Sequence, residues 1–252
     1  MDALIIAAGF GTRISPISAS KPLTPIAGIP LLELGARRAA SAGAQRVVVV
    51  TGHEAARIEA ALPAIAQRAG VPVLSQRVDD WSRPNGFSVM AGAAAIAGMG
   101  GGDFLLTMAD HIFAAPLIAG LATQGGADRG VTLAIDTRIT SPLIDPDDAT
   151  WVQRGEQGRI VAIGKTIAGY DCVDCGAFLA RQELAVAIAA AIAQGKSGSL
   201  SDGMQWLADR GRAQTWDVGT DDDAAWWMDV DDPRAHALAE AEAPARLADL
   251  YR

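Results

Sequence analysis

"ALIIAAGFGTRISPISASKPL", residues 3 to 23, places an unbroken apolar run directly before two glycines. Such a run reads as a strand covered on both faces, as in a parallel sheet. The residues after the run decide which ligand the sheet serves. A dinucleotide fingerprint needs G-x-G-x-x-G running straight into a helix. Here Gly9 and Gly11 are followed by Ile14 where the third glycine belongs, and by Pro16, Pro22 and Pro25 where the helix belongs. A P-loop needs G-x-x-x-x-G-K-[ST]. The "GKT" at 164 to 166 and the "GKS" at 195 to 197 have Arg159 and Ala190 at the position of the first glycine. Both templates are excluded. The stretch is therefore a glycine loop of irregular backbone carrying Arg13 and ending in "SKP" at 20 to 22. Its amides can come close to a triphosphate, and Arg13 and Lys21 supply the opposing charge.

Along the chain, residues 3 to 8, 46 to 51, 71 to 75, 103 to 109 and 130 to 136 are apolar runs of strand length. Ala-rich stretches of helical composition, 31 to 42, 54 to 69, 87 to 97 and 114 to 124, separate them. The alternation predicts βαβ units and a Rossmann-like three-layer α/β/α fold with a mostly parallel central sheet. Ligands of such sheets bind at the carboxyl ends of the strands. The second half predicts strands near 149 to 153, 159 to 163, 171 to 180 and 213 to 218, helices near 181 to 194 and 202 to 210, and a small mixed β region. "RITSPLIDPDDATW", 138 to 151, reads as a flap, and 194 to 203 as an exposed loop. A helix is expected over 233 to 252, with Asp231 or Asp232 as its cap and Pro233 in its first turn. We expect one domain over 1 to 252: a nucleotide-binding part (1 to 137), an acceptor and flap part (138 to 232) and the last helix.

The 252 residues, half of them apolar, carry a formal net charge of -8. An acidic chain argues against nucleic acid, whose backbone calls for clustered Lys and Arg. No apolar run approaches the roughly 18 to 20 residues that cross a bilayer, and the N-terminus lacks a signal-peptide pattern. We expect small-molecule partners, no membrane insertion and a cytoplasmic location. Homo-oligomerisation is left open. Cys172 and Cys175 form a lone C-x-x-C inside a strand-like run, which cannot complete a four-ligand zinc site by itself and reads as structural. Only Lys21, Lys165 and Lys196 break the preference for Arg among 21 basic residues. A surviving lysine suggests a need for a compact ammonium, although Lys196, in a Gly/Ser loop, reads as solvated.

The pattern "AAGFGTR...KPL" resembles the signature loop of the nucleotidyltransferases that activate sugar and alcohol phosphates. That chemistry is in-line attack on an α-phosphate, with Mg²⁺ held by carboxylates from separate strand ends. Asp110, closing "FLLTMAD", and Asp231 in "WWMDVDDP" are the expected ligands, and Asp229 a direct or water-mediated helper. No general base is needed, because a phosphate monoester, with a second pKa of about 6, is largely dianionic at neutral pH. His111 is a candidate for orienting the metal shell or a substrate group, or a structural histidine. Lys165, ending "GRIVAIGK", would assist the phosphates electrostatically.

Further stretches are similar to the cytidylyltransferases that couple CTP to myo-inositol 1-phosphate: "PNGFSVMAG" (84 to 92), "LLTMADHIF" (105 to 113), "DPDDATWV" with "GRIVAIGK" (145 to 165), "VDCGAFL" (173 to 179) and "WMDVDDP" (227 to 233). They cover most of the chain in order. The resemblance implies a triphosphate loop of Ala7, Ala8, Gly9, Gly11, Thr12, Arg13 and Lys21. It places Gln76, Asn85, Gly86 and Ser88 around cytosine and ribose, Asp110 and Asp231 on Mg²⁺, and Lys165 and Asp174 near the acceptor. It implies formation of CDP-inositol for phospholipid synthesis. Gln76 stands where many relatives carry Asn, and Cys175 where Thr or Ser is commoner. In many relatives a membrane-embedded phosphotransferase follows in the same polypeptide; none follows here, so the product is expected to pass to a separate membrane enzyme. The alternatives are another acceptor (phosphocholine, an aminoalkylphosphonate or a sugar 1-phosphate) and a non-catalytic nucleotide-sensing domain.

Overall fold

The computed structural model describes residues 1–251. The first elements are β1 (Asp2–Ala7), the short ribbon β2 (Pro25–Ile26) and β3 (Ile29–Pro30), α1 (Leu31–Ser41), β4 (Val47–Thr51) and α2 (Ala55–Ala69). Next come β5 (Val73–Arg77), α3 (Gly86–Gly98), β6 (Phe104–Met108), β7 (His111–Phe113), α4 (Ala115–Ala122) and β8 (Val131–Asp136). They are followed by β9 (Trp151–Arg154), β10 (Ile160–Gly164), β11 (Cys172–Ala180), α5 (Glu183–Ala193) and α6 (Leu200–Ala208). The remaining elements are β12 (Ala213–Asp217), β13 (Trp227–Asp229) and α7 (Pro233–Arg246).

The opening run becomes the middle of the sheet for the reason its composition suggests. Ala3, Ile5 and Ala7 point into one core with Val47 and Val49, while Leu4, Ile6 and Ala8 point into another with Val48 and Val50. The first core is closed by α1, α2 and α4 through Leu32, Ile58, Leu62 and Leu117. The second is closed by α3, α5 and α6 through Val89, Ile96, Leu184, Ile188 and Met204. This is the three-layer α/β/α architecture. A third cluster, with Ile14, Ile26, Trp226, Val230 and Leu247, seats α7 against β2 and the loop after β1.

The nine-stranded sheet runs β10-β9-β11-β6-β1-β4-β5, with β8 on the other edge of β11 and β12 beyond it. β6, β1, β4 and β5 are mutually parallel, with Ile5 opposite both Val49 and Thr107. β8 and β12 are parallel to each other, and β11 runs antiparallel to β6, β8 and β9. The mixed β region expected of the second half is thus part of the same sheet. Because β11 is reversed, its beginning lies beside the carboxyl end of β6. The sheet therefore gathers the ends of the parallel strands and the start of β11 along one edge.

Several boundaries differ from expectation for visible reasons. β5 starts at Val73 rather than residue 71, because Gly70 caps α2 in the left-handed region (φ 72°) and Pro72 follows. α6 starts at Leu200, where Ser199 and Asp202 form a capping box. α7 is capped by Asp232, whose side chain accepts from the Ala235 N–H, but it ends at Arg246 rather than running on to 252. Beyond it Leu250 is buried and the Tyr251 hydroxyl donates to the Ile26 carbonyl at 2.8 Å, so the chain gains more by folding onto β2 than by continuing the helix. Residue 252 lies outside the described residues. Cys172 and Cys175 are free thiols buried in opposite cores, which fits a structural role. Among the described residues no helix is long and apolar enough to cross a membrane.

Candidate active site

Along the carboxyl edge lies a cleft of about 410 Å³. The glycine loop crosses its centre. Gly11 sits at φ 64°, and a Cβ there would lie 2.7 Å from the Lys21 Cβ, so only glycine permits both the turn and the return of Lys21 under it. A Cβ on Gly9 would meet nothing within 4 Å; that amide is open to a ligand. Thr12, Arg13 and Ile14 form a short 3₁₀ turn, anchored by fully buried Ile14, which leaves Arg13 projecting into the cleft.

The expected carboxylates converge here. Lys21 Nζ pairs with Asp110 at 2.5 Å and with Asp231, which also accepts from Arg13. Asp110 lies in the turn between β6 and β7. Asp229 faces His111 across the β7–β13 ribbon, and the Val230 N–H donates to the Asp110 carbonyl at 2.9 Å. These two three-residue strands, too short to stand out in the sequence, bring residues 110 and 231 together. Lys165, at the end of β10, and Asp174, near the start of β11, line the same cleft. The Gly176 N–H donates to Asp174 Oδ1 at 2.7 Å. That bulge needs Gly176, at φ 76°, since a side chain there would strike the His111 ring.

Burial governs the charges. The His111 ring lies parallel to that of Trp227. Burial alone would lower its pKa, but the carboxylates of Asp229 and Asp110 hold it up at about 9, with Nδ1 2.7 Å from Asp110. The two carboxylates thus favour the protonated ring. Burial pushes Asp229 up to about 7, against the pull of the His111 charge and reinforced by Asp110 and Asp148. Burial likewise pushes Asp174 up to about 6, opposed by the Gly176 amide and by His111.

A hard divalent cation fits this donor set. Asp229 Oδ1 is buried and takes part in no hydrogen bond among the described residues, although it faces His111 Nδ1 at 3.8 Å, so it keeps an acceptor free in an acidic site. One oxygen each from Asp148, Asp229 and Asp231 lie within 4.8 Å of one another, an all-oxygen set of the kind a hard divalent cation takes. Asp110, His111 and Asp229 form a second group, with one nitrogen and two oxygens.

Residues 3–150 match the MobA-like NTP transferase domain. The chain belongs to that family. A bifunctional IPC transferase and DIPP synthase of Rubrobacter xylanophilus is 33% identical over 242 residues, 95% of this chain and 51% of that protein. A protein of the same name from Archaeoglobus fulgidus is 30% identical over 71% of this chain and 32% of its own length. The bifunctional protein GlmU of Dinoroseobacter shibae is 38% identical over 65% of this chain and 32% of its own. The chain spans about half the length, or less, of these curated relatives. The inositol-1-phosphate CTP transferase of T. maritima superposes with a TM-score of 0.79 at 20% identity, covering 97% of this chain and 96% of that one. A putative glucose-1-phosphate thymidylyltransferase from Bacillus anthracis gives 0.75 at 19%, with 95% of each chain covered. These two likenesses establish the nucleotidyltransferase fold.

Within this NTP transferase the other expected residues divide. Ala8, Asn85 and Ser88 line the cleft with Gly9 and Arg13. Ala7 and Gly86 do not line it. Ala7 is buried in the sheet, and Gly86 starts α3 under the Gly198 carbonyl, where a Cβ would collide. Asn85 Oδ1 also accepts from the Leu200 N–H at 2.8 Å, tying α6 to α3. Gln76 is outside the cleft, its amide donating to the Arg77 carbonyl at 3.0 Å. Sequence reasoning missed Asp148. It accepts from Arg13 at 2.6 Å and pairs with Lys165, so one flap carboxylate bridges the two cations. "DPDD" contains it, yet which of four neighbouring acidic or proline positions turns inward depends on the path of the flap.

Proposed function

We propose that this chain is a magnesium-dependent cytidylyltransferase that joins CTP to a phosphorylated alcohol, myo-inositol 1-phosphate, giving CDP-inositol and pyrophosphate. The observation that carries the reading is the convergence of Arg13 and Lys165 with Asp110, Asp148, Asp229 and Asp231 in one cleft beside open backbone at Gly9, with Lys21 paired to Asp110 and Asp231. The choice of acceptor is supported by the 33% identity, over nearly the whole chain, to a protein named an IPC transferase.

The triphosphate would lie over the Ala8 and Gly9 amides, with Arg13 and Lys21 balancing its charge. Asp229, Asp231 and Asp148 or Asp110 would hold Mg²⁺, which when bound offsets charge on the triphosphate and the departing pyrophosphate. Lys165 and Asp174 flank the position of the acceptor. The acceptor phosphate, already dianionic, attacks the α-phosphorus as the bond to the β-phosphate oxygen breaks, and no protein base takes a proton. Lys165 would steady the attacking oxygens, and Asp174 would accept from an acceptor hydroxyl.

A second reading, a sugar 1-phosphate acceptor with another nucleotide, is favoured by the fold shared with a putative glucose-1-phosphate thymidylyltransferase. Pyrophosphate release with Mg²⁺ and each of the four nucleotides separates the two. Myo-inositol 1-phosphate, phosphocholine, 2-aminoethylphosphonate and glucose 1-phosphate are the acceptors to compare. Turnover confined to CTP with inositol 1-phosphate is the expected result. Turnover only with a sugar phosphate transfers the assignment, and nucleotide binding without turnover on any acceptor points to a sensing domain.

A further inference from the structure

At one rim of the cleft, three rings meet that belong to none of the three apolar cores. Phe10, between the two glycines of the loop, is 50% exposed, and Trp81, in the loop after β5, is 38% exposed and lines the cleft. Their planes lie within 13° at a centroid distance of 6.0 Å, and His53 meets both edge-on at 4.4 and 5.0 Å. The placement is built in. Gly52, directly after β4, lies under Trp81, and a Cβ there would come within 2.5 Å of the Trp81 Cβ and 3.0 Å of the Ala8 Cβ. The missing side chain lets the loop after β5 bring an indole down beside the end of β1. Leaving two large rings half open to water costs apolar exposure, and nothing in the fold's own packing requires it.

Sheet order shows which part of a substrate would meet these rings. Lys165 and Asp174 come from β10 and β11, on one flank of β1, whereas Gly52 and Trp81 follow β4 and β5, on the other. The glycine loop lies between. A triphosphate on that loop, with its acceptor toward β11, therefore has its nucleoside toward Trp81.

We propose that Trp81 is the stacking surface for the nucleobase and that Phe10 packs against the same group, so the loop that binds phosphate also closes over the base. The proposal rests on the reading of the cleft as a nucleotide site. Every base has a π-face, so stacking raises affinity without choosing among bases; selectivity is left to hydrogen bonds from groups such as Asn85 and Ser88. Aromatic stacking contributes enough per base for its removal to weaken binding roughly 5- to 100-fold.

The test is calorimetric binding with Mg²⁺ and no acceptor, using CTP, UTP, ATP, GTP and inorganic tripolyphosphate on the wild type, Trp81→Ala, Trp81→Phe and Phe10→Ala. We expect Trp81→Ala to weaken every nucleotide that the wild type binds by a similar factor of at least about 5. Trp81→Phe restores most of the affinity, Phe10→Ala gives a smaller loss, and tripolyphosphate binding is unchanged throughout. In turnover, KM for the nucleotide rises while kcat stays within about 2-fold. Unchanged nucleotide affinity in Trp81→Ala, or an equal loss of tripolyphosphate, overturns the proposal and leaves the nucleotide site standing. A wild type that binds no nucleotide overturns the functional reading, and this proposal with it.

Discussion

Lys21 is the side chain on which the acidic strand ends depend. Its ammonium lies against Asp110 and Asp231, with little exposure to water, so two carboxylates share one compact cation. Lys21→Met should lower kcat/KM about 10²- to 10³-fold, the usual loss when a group stabilising transition-state charge is removed. It should also lower the melting temperature in metal-free buffer, with more of the loss recovered by Mg²⁺ than in the wild type. A melting series with and without Mg²⁺ checks the second part; equal Mg²⁺ shifts in both proteins would mean that the ammonium and the metal do not share these carboxylates. Lys21 was legible in the sequence because lysine is rare there and "SKP" follows a glycine loop. Asp148 was not, since its partners Arg13 and Lys165 are brought to it only by the folded path of residues 138 to 150. Gln76, placed by resemblance, donates to the Arg77 carbonyl of its own strand and does not line the cleft.

Among the strands and helices, the end of β8 anchors the flap. Asp136 is buried and accepts from the Arg138 amide at 2.8 Å, from the Arg138 guanidinium at 2.8 Å and from the Trp227 indole N–H at 3.0 Å. Burial alone would raise its pKa, but the Arg138 and Trp227 bonds outweigh that and leave it below the usual carboxylate value. A depressed folded-state pKa contributes stability above the unfolded value, and the contribution is lost as pH falls through the folded one. Asp136→Asn should therefore cost about 3 kcal/mol at pH 7, and the gap to wild type should narrow steadily below about pH 4. Urea unfolding followed by tryptophan fluorescence at several pH values measures this; a gap independent of pH would exclude the ionised pair. Long elements such as β1, β4 and α2 were legible because their apolar pattern extends over many residues. β7 and β13 were not, because three residues hold no period, and the contact that pairs them lies more than a hundred positions away in the chain.

Across the protein as a whole, one sheet edge carries three stations side by side: the aromatic rim after β4 and β5, the phosphate loop after β1, and Lys165 with Asp174 from β10 and β11. The parallel core made this division readable, since strand ends on one edge follow from βαβ connection alone. A mixed region was expected in the second half, but not that β11 is the strand that reverses and turns its start toward the site. Asp148 spans two of the stations, pairing with Arg13 of the glycine loop and with Lys165 of the third. On the proposed reading, a triphosphate that takes Arg13 and brings Mg²⁺ to Asp148 would release both arms of that bridge, freeing Lys165 for a second anion. The expected consequence is a kinetic sequence in which the nucleotide enters first, the phosphorylated alcohol second, pyrophosphate leaves, and the nucleotide-linked product departs last. Product-inhibition patterns should show that last product competing with the nucleotide and not with the alcohol phosphate. In Asp148→Asn the order should relax toward random entry.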